Sequence, residues 1–294
     1  MGIFRYKGDT AMVTAISPQT VVVLEQYGDW LQIETWLGSM WLYINFMPPT
    51  HDLHAALARF DSNLSIYYEN LATGFVFRHN ADRVYFGASL SKASFALHIY
   101  QMAERGEVDL GVAITFTAAD QNWGSGIIQN RYALGTRFTI GELLRLNLSY
   151  SDNVATLMLV RHFGIAGYRQ FVADLGADPA RVCGRVMDSD LTANEVGIFA
   201  RAIHDYIESG GIYSEVFQGH LLNNQFPFIV SSYPVASKTG WTTPRAWHDM
   251  AIVYAPSPYI LVIMSAREGW TTRDYQDFAE ISMVFENFND TWFP

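Results

Sequence analysis

Two hydrophobic periodicities occupy this 294-residue chain in a fixed order, and that order limits the fold more than any other feature. Strand-like runs lie around Leu64 to Glu69 and Gly74 to Arg78, joined through Asn70 to Thr73 as a hairpin, and return at 227 to 237, 248 to 255 and 259 to 266. Between them, apolar residues fall at helical spacing over 90 to 104, about 140 to 149, 153 to 162, 167 to 174 and 193 to 208, with Gly106 and Gly164 as stop signals. A helix at 51 to 60 precedes this set and one at about 274 to 288 closes it. Thr139 with Glu142, and Thr192 with Glu195, fit the capping box, in which a Thr hydroxyl and a Glu carboxylate satisfy the free amides of a helix start. Helices in the middle with strands at both ends predict an α+β fold: an antiparallel sheet flanked by helices, with a helical subdomain.

The first 47 residues read differently. Ala11 to Ala15, Thr20 to Glu25, Trp30 to Thr35 and Trp41 to Ile44 are short strands, punctuated by turns at Gly8-Asp9, Ser17-Pro18, Gly28-Asp29 and Gly38-Ser39. Met47-Pro48-Pro49-Thr50 then breaks the chain, because paired prolines cannot continue a strand ladder. The expected organisation is a small all-β barrel over 1–47 and a larger domain over 48–294, consistent with cores that stop growing near ~250 residues.

Half the residues are hydrophobic and 16% are charged, the composition of a folded globular protein. A formal net charge of −10 speaks against a nucleic-acid partner and against anionic membrane surfaces. No apolar run reaches the ~18 residues of a membrane span. Cys183, the only cysteine, allows no disulfide within the chain and no thiolate metal cluster, and reads as a small buried hydrophobe. The eight histidines contain no His-x-x-x-His pair, and His248-Asp249 reads as a strand residue and its neighbour. No metal and no cofactor are expected. No signal peptide is evident, so the chain is expected either in the cytoplasm or, as a mature or trimmed form, in the cell envelope or outside the cell.

Of nineteen basic residues only three are lysine: Lys7, Lys92 and Lys238. Lysine is the cation that burial and a neighbouring charge can drive neutral, which arginine resists. Two of the three lie in short polar motifs. Ser89-Leu90-Ser91-Lys92 opens the helix at 90 to 104, so Ser89 and Lys92 share a helical face. A serine hydroxyl becomes nucleophilic when a neighbour accepts its proton, and a lysine does so once its pKa is lowered. Ser151-Asp152-Asn153 stands in the break between two helices, where Ser or Asp is an ordinary N-cap. Lys238-Thr239-Gly240 ends an apolar strand before Trp241.

Together, in this order and in these structural contexts, the three motifs resemble the class A β-lactamase and penicillin-binding-protein superfamily over about 52 to 290. The resemblance implies a serine hydrolase with Ser89 as nucleophile, Lys92 as its base and Ser151 as proton shuttle to the leaving nitrogen. Asn153 would bond the substrate amide or hold Lys92. Lys238 and Thr239 would meet a substrate carboxylate, Lys238 would help keep Lys92 neutral, and the backbone N–H groups of Ser89 and Trp241, beside Gly240, would form the oxyanion hole. The substrates so implied are β-lactams and D-alanyl-D-alanine-like peptides. The segment 14 to 44, with Ser17-Pro18-Gln19-Thr20-Val21, Gly28-Asp29-Trp30, Thr35-Trp36-Leu37-Gly38 and Trp41, is similar to a bacterial Src-homology type 3 barrel, which implies peptidoglycan as a partner.

One departure matters. Class A enzymes carry a glutamate on a loop that activates the deacylating water. Arg181 to Asp190 runs almost directly into the next helix and holds no Glu. Glu195 reads as a capping residue, Asp188 and Asp190 as turn and cap residues. Ser89 is therefore expected to acylate readily and to deacylate slowly, as a penicillin-binding peptidase would. A true β-lactamase, a related esterase and a non-catalytic wall-binding sensor are the competing readings.

Overall fold

The structure, a computed structural model, describes residues 2–4, 12–15, 22–27, 30–43, 50–60, 63–181, 189–243, 246–266 and 272–294. The boundary placed at 47/48, the turns at Gly8-Asp9, Ser17-Pro18 and Gly28-Asp29, and Lys7, Cys183 and Asp188 lie outside these residues.

The N-terminal strands are β1 (Gly2–Phe4), β2 (Met12–Ala15), β3 (Val23–Tyr27), β4 (Trp30–Thr35) and β5 (Gly38–Tyr43). They pair antiparallel in the order β2-β1-β5-β4-β3. The expected barrel is not seen closed among the described residues. Closure needs the first and last strands of the order to pair, and among the described residues β2 and β3 are the two free edges of an open sheet. Among the described residues its buried centre holds Ile33, Met40 and Leu42.

The remainder carries α1 (His51–Leu57), β6 (Leu64–Asn70), β7 (Val76–His79), β8 (Tyr85–Phe86), α2 (Ser91–Glu104), β9 (Ala113–Thr115), α3 (Ile128–Arg131) and β10 (Arg137–Thr139). Then follow α4 (Ile140–Ser149), α5 (Asn153–Phe163), α6 (Ala166–Asp174), β11 (Asp190–Leu191), α7 (Ala193–Glu208) and α8 (Ser214–Leu222). The chain closes with β12 (Val235–Thr242), β13 (Ala246–Val253), β14 (Tyr259–Ser265) and α9 (Thr272–Trp292).

β12-β13-β14-β6-β7 form one antiparallel sheet that joins the two ends of this region. Alternation along each strand sends side chains to two cores. Ile66, Tyr68, Leu261, Ile263, Ala251 and Val253 pack under α1 and α9, against Leu53, Leu57, Ile281 and Phe285. Tyr67, Ile260, Val262, Met250 and Ile252 face the other way, into the core built with α2, α4, α5, α7 and α8. The α+β arrangement expected from periodicity is the one observed.

Two local readings change. The strand expected at 227 to 237 begins only at Val235. Pro227 and Pro234 have no N–H for a ladder, and the amides of Phe228 and Ile229 go instead to the carboxylate of Asp249 (2.7 and 2.9 Å). Lys238-Thr239-Gly240 therefore lies inside β12, which continues to Thr242, and not at a strand end. Helix α8 is an element that the periodicity does not announce. Both capping boxes are present as read, at Thr139 with Glu142 and at Thr192 with Glu195.

Candidate active site

A cleft of about 550 Å³ opens beside β12, lined by Phe86, Ser89, Trp123, Asn153, Phe226 and Trp241 among others. Ser89 sits in a single 3-10 turn, Ala88–Leu90, that leads directly into α2. Ala88 has φ +47°, in the left-handed region that a side chain disfavours. The turn is fixed from several sides. Gly87 donates its N–H to Ser189 O (2.8 Å). His248 Nε2 lies 2.9 Å from Phe86 O while its Nδ1 accepts the Ser265 N–H at 3.2 Å, which fixes Nε2 as the donor. Gly240 closes the arrangement: a Cβ there would stand 2.8 Å from Gly87 O and 3.0 Å from Leu90 N. Only glycine lets β12 approach the serine's turn this closely.

Lys92 points from the first turn of α2 into the interior and is fully buried. Its Nζ donates to Ser151 O (2.5 Å) and Asn153 Oδ1 (2.8 Å) and lies 3.3 Å from Ser151 Oγ. Lys238, equally buried, reaches the same hydroxyl from β12, donating to Ser151 Oγ (2.9 Å) and Thr239 O (2.7 Å). The hydroxyl of Ser151 thus bridges two amines. Ser151 is itself held at φ +52° by the break between α4 and α5, where Asp152 caps α5 through the Ala155 amide and accepts the Ile127 and Ile128 amides on its other oxygen. Gly126 packs so tightly on Asp152 that a Cβ would lie 2.3 Å from its Cγ.

The electrostatics follow from burial. Lys92 is held well below the ordinary lysine value, first by loss of water and then by the Lys238 cation, against a smaller opposing pull from Asp152. Burial lowers Lys238 to about 7, against the opposing charge of Asp249. Asp249 is pushed up to about 6 by its own burial, which outweighs its hydrogen bonds to the Ile229 and Phe228 amides and the Lys238 charge. Two lysines beside one hydroxyl cannot both hold protons cheaply, and Lys92, lowered by the Lys238 cation as well as by burial, is the amine poised to be neutral.

Of the residues singled out in the sequence, the structure brings Lys92, Ser151, Asn153 and Lys238 into direct contact and places Ser89, Asn153 and Trp241 on the cleft. Thr239 is turned elsewhere. It is 2% exposed, and its hydroxyl donates to Phe226 O (2.7 Å) and accepts from Asn224 Nδ2 (3.0 Å). Asn224, His248 and Asp249 are site residues that the motifs do not include. Polar side chains within apolar strands are the one signal that marks the latter two.

The deacylation question also takes shape here. Glu195 is committed: it closes the capping box at Thr192 and accepts from Asp178 N and from the Arg181 guanidinium. Asp190 is exposed in β11, paired with Phe86. Among the described residues, no Asp or Glu lines the cleft.

Residues 48–284 match the family described as the beta-lactamase enzyme family. Among curated proteins none matches the chain in sequence. Solved structures give the fold. A beta-lactamase from Sphaerobacter thermophilus DSM 20745 superimposes with a TM-score of 0.72 at 21% identity, over 84% of this chain and 100% of that one. PBP-A, solved as a mutant in an acyl-enzyme complex with penicillin G, gives 0.67 at 18%, over 81% and 96%. The TLA-3 extended-spectrum beta-lactamase gives 0.70 at 15%, over 81% and 97%.

Proposed function

Because the chain belongs to the beta-lactamase enzyme family, and is a serine hydrolase of that superfamily, we propose that it is a penicillin-recognising peptidase acting through an acyl-serine on Ser89. The bridging of the Ser151 hydroxyl by Lys92 and Lys238 carries this reading. Neutral Lys92 takes the Ser89 proton as Oγ attacks the substrate carbonyl. The backbone N–H groups of Ser89 and Trp241, on adjacent segments because Gly240 lets them meet, take the developing oxyanion. Ser151 passes a proton to the leaving nitrogen and is reprotonated from Lys92. Lys238 in its charged form holds the substrate carboxylate. Water then cleaves the ester, slowly, since Glu195 is tied into a helix cap and no carboxylate of the described residues lines the cleft.

The proposed substrates are D-alanyl-D-alanine-like peptides of the cell wall, with β-lactams as acylating mimics, and the place of action is accordingly the cell envelope. The N-terminal strands would bring the enzyme to the wall, with Trp36, 75% exposed at the β4–β5 turn, as a contact.

Intact mass after mixing with benzylpenicillin, followed over time with Ser89→Ala as control, tests this. A lasting adduct that the Ala variant lacks is expected. Rapid loss of the penicillin with no adduct would make the protein a true β-lactamase, and no reaction would leave an esterase or a wall-binding sensor.

A further inference from the structure

Residues 223–230 lie against β12 without joining the sheet, yet they are fastened throughout. Gln225 N donates to Ser149 O (2.9 Å). Asn224 accepts the Phe226 N–H on Oδ1 (3.2 Å), while its Nδ2 reaches Ser237 Oγ (2.8 Å) and Thr239 Oγ1 (3.0 Å). Thr239 in turn donates to Phe226 O (2.7 Å). Asp249, fully buried and opposite Thr239 in the β12–β13 register, accepts the Phe228 and Ile229 amides on one oxygen. The residue these bonds surround is Phe226, which is 52% exposed and lines the cleft. Trp241, 42% exposed on the same cleft, is likewise fixed, stacked on Trp247 at 5.6 Å and 11°.

Single exposed apolar side chains need no explanation, but two aromatic residues on one cleft, one on a hydrogen-bonded backbone and the other stacked on a buried tryptophan, form an apolar shelf. A ligand that covers it has little ordering left to do. The shelf also has a side. Its backbone is tied to Ser149 and Thr239, next to Lys238. On the proposed function Lys238 takes the substrate carboxylate, and that carboxylate belongs to the leaving group. The methyl of a D-alanine leaving group would leave the Phe226 ring wet, whereas a larger apolar side chain would cover it.

We infer that, among the D-alanyl-D-alanine-like substrates proposed above, Phe226 is a specificity-determining residue that selects leaving groups whose apolar side chain beside the carboxylate is larger than methyl, and that Asp249 is the positioning residue that holds it there. The inference rests on the acyl-serine reading for the identity of the leaving group.

The test uses two phenylacetylglycyl esters that differ only in the leaving group, D-phenyllactate or D-lactate. The parental protein is expected to favour the phenyllactate ester by about tenfold in kcat/KM, a discrimination typical of an apolar pocket. Phe226→Ala should bring the ratio close to one, and Phe226→Leu should restore part of it. Asp249→Ala should collapse the ratio as well, although the Asp249 side chain is fully buried. Equal hydrolysis of the two esters by the parental protein would overturn the inference, as would an Asp249→Ala protein that lost activity on both esters with their ratio kept. Calorimetric binding of the same esters to Ser89→Ala protein reads the preference without acylation. Failure to hydrolyse either ester with the binding preference intact removes the acyl-serine reading alone, while absence of that preference removes the shelf.

Discussion

At the scale of single residues, the protonation states of Lys92 and Lys238 set the pH dependence. Both amines are depressed by burial, and Lys92 further by its neighbour, while Lys238 stands at about 7. If Lys238 holds the substrate carboxylate as a cation, the second-order rate of Ser89 acylation falls as pH rises through about 7. That constant reports the free enzyme. Lys238→Arg should remove this basic limb, because a guanidinium keeps its proton to about pH 12 and beyond. Stopped-flow acylation by a penicillin across pH decides it, and an unchanged limb in the Arg variant would assign it to another group. Loss of the Lys238 proton does not itself favour unfolding over this limb. The folded pKa lies below the ordinary 10.5, so the unfolded chain binds more protons between about 7 and 10.5, and this group makes stability rise with pH across that window. Ser89, Lys92, Ser151, Asn153 and Lys238 were legible because rare lysines and serines recur in three short motifs. Asp249 and His248 were not, since their partners across β12 and at Phe86 O come from register and approach, which a linear pattern does not hold.

At the scale of elements, local signals told most where they were local. The two capping boxes and the helices α2, α4, α5 and α7 follow from side chains within a few residues of each other. The stretch 227–234 misled because its β-rich composition says nothing of a carboxylate 20 residues away that takes its amides. The same distinction bears on deacylation. Glu195 is the glutamate nearest in sequence to the stretch 181–190, yet it caps α7 and pairs Arg181, whose carbonyl accepts Asp190 N at 3.1 Å. Glu195→Ala should lose the cap and leave the Asp178 amide and Arg181 without this partner. A cost of ~2–3 kcal/mol is expected, lowering Tm by roughly 5–10 °C. The lifetime of the penicillin adduct should not change. A thermal melt and the decay of the adduct mass check both, and an adduct more than about tenfold longer-lived than that of the parental protein would make Glu195 the water-activating group after all.

At the scale of the whole molecule, the described cores fall into sets that share no member. The two large ones are built from residues between Leu53 and Phe293, on opposite faces of a sheet whose strands come from both ends of that stretch. Among the described residues the N-terminal sheet has a separate centre of Ile33, Met40 and Leu42. The family match begins at residue 48, where the paired prolines stand. A domain needs its own core to fold alone, and residues 48–294 contain every buried apolar group of the two large ones. We therefore expect a chain of residues 48–294 to fold and to form the Ser89 adduct at a rate within about twofold of the full protein, the small difference expected of parts whose cores share no member. On the wall-directed role proposed above, the N-terminal sheet is the part that holds the protein to the cell wall. Its removal should instead abolish retention on insoluble peptidoglycan, which sedimentation with purified wall material measures. If the shortened chain aggregated, or melted far below the full protein, the open sheet would be a structural part of the hydrolase, and the wall-directed role proposed for it would lose its ground.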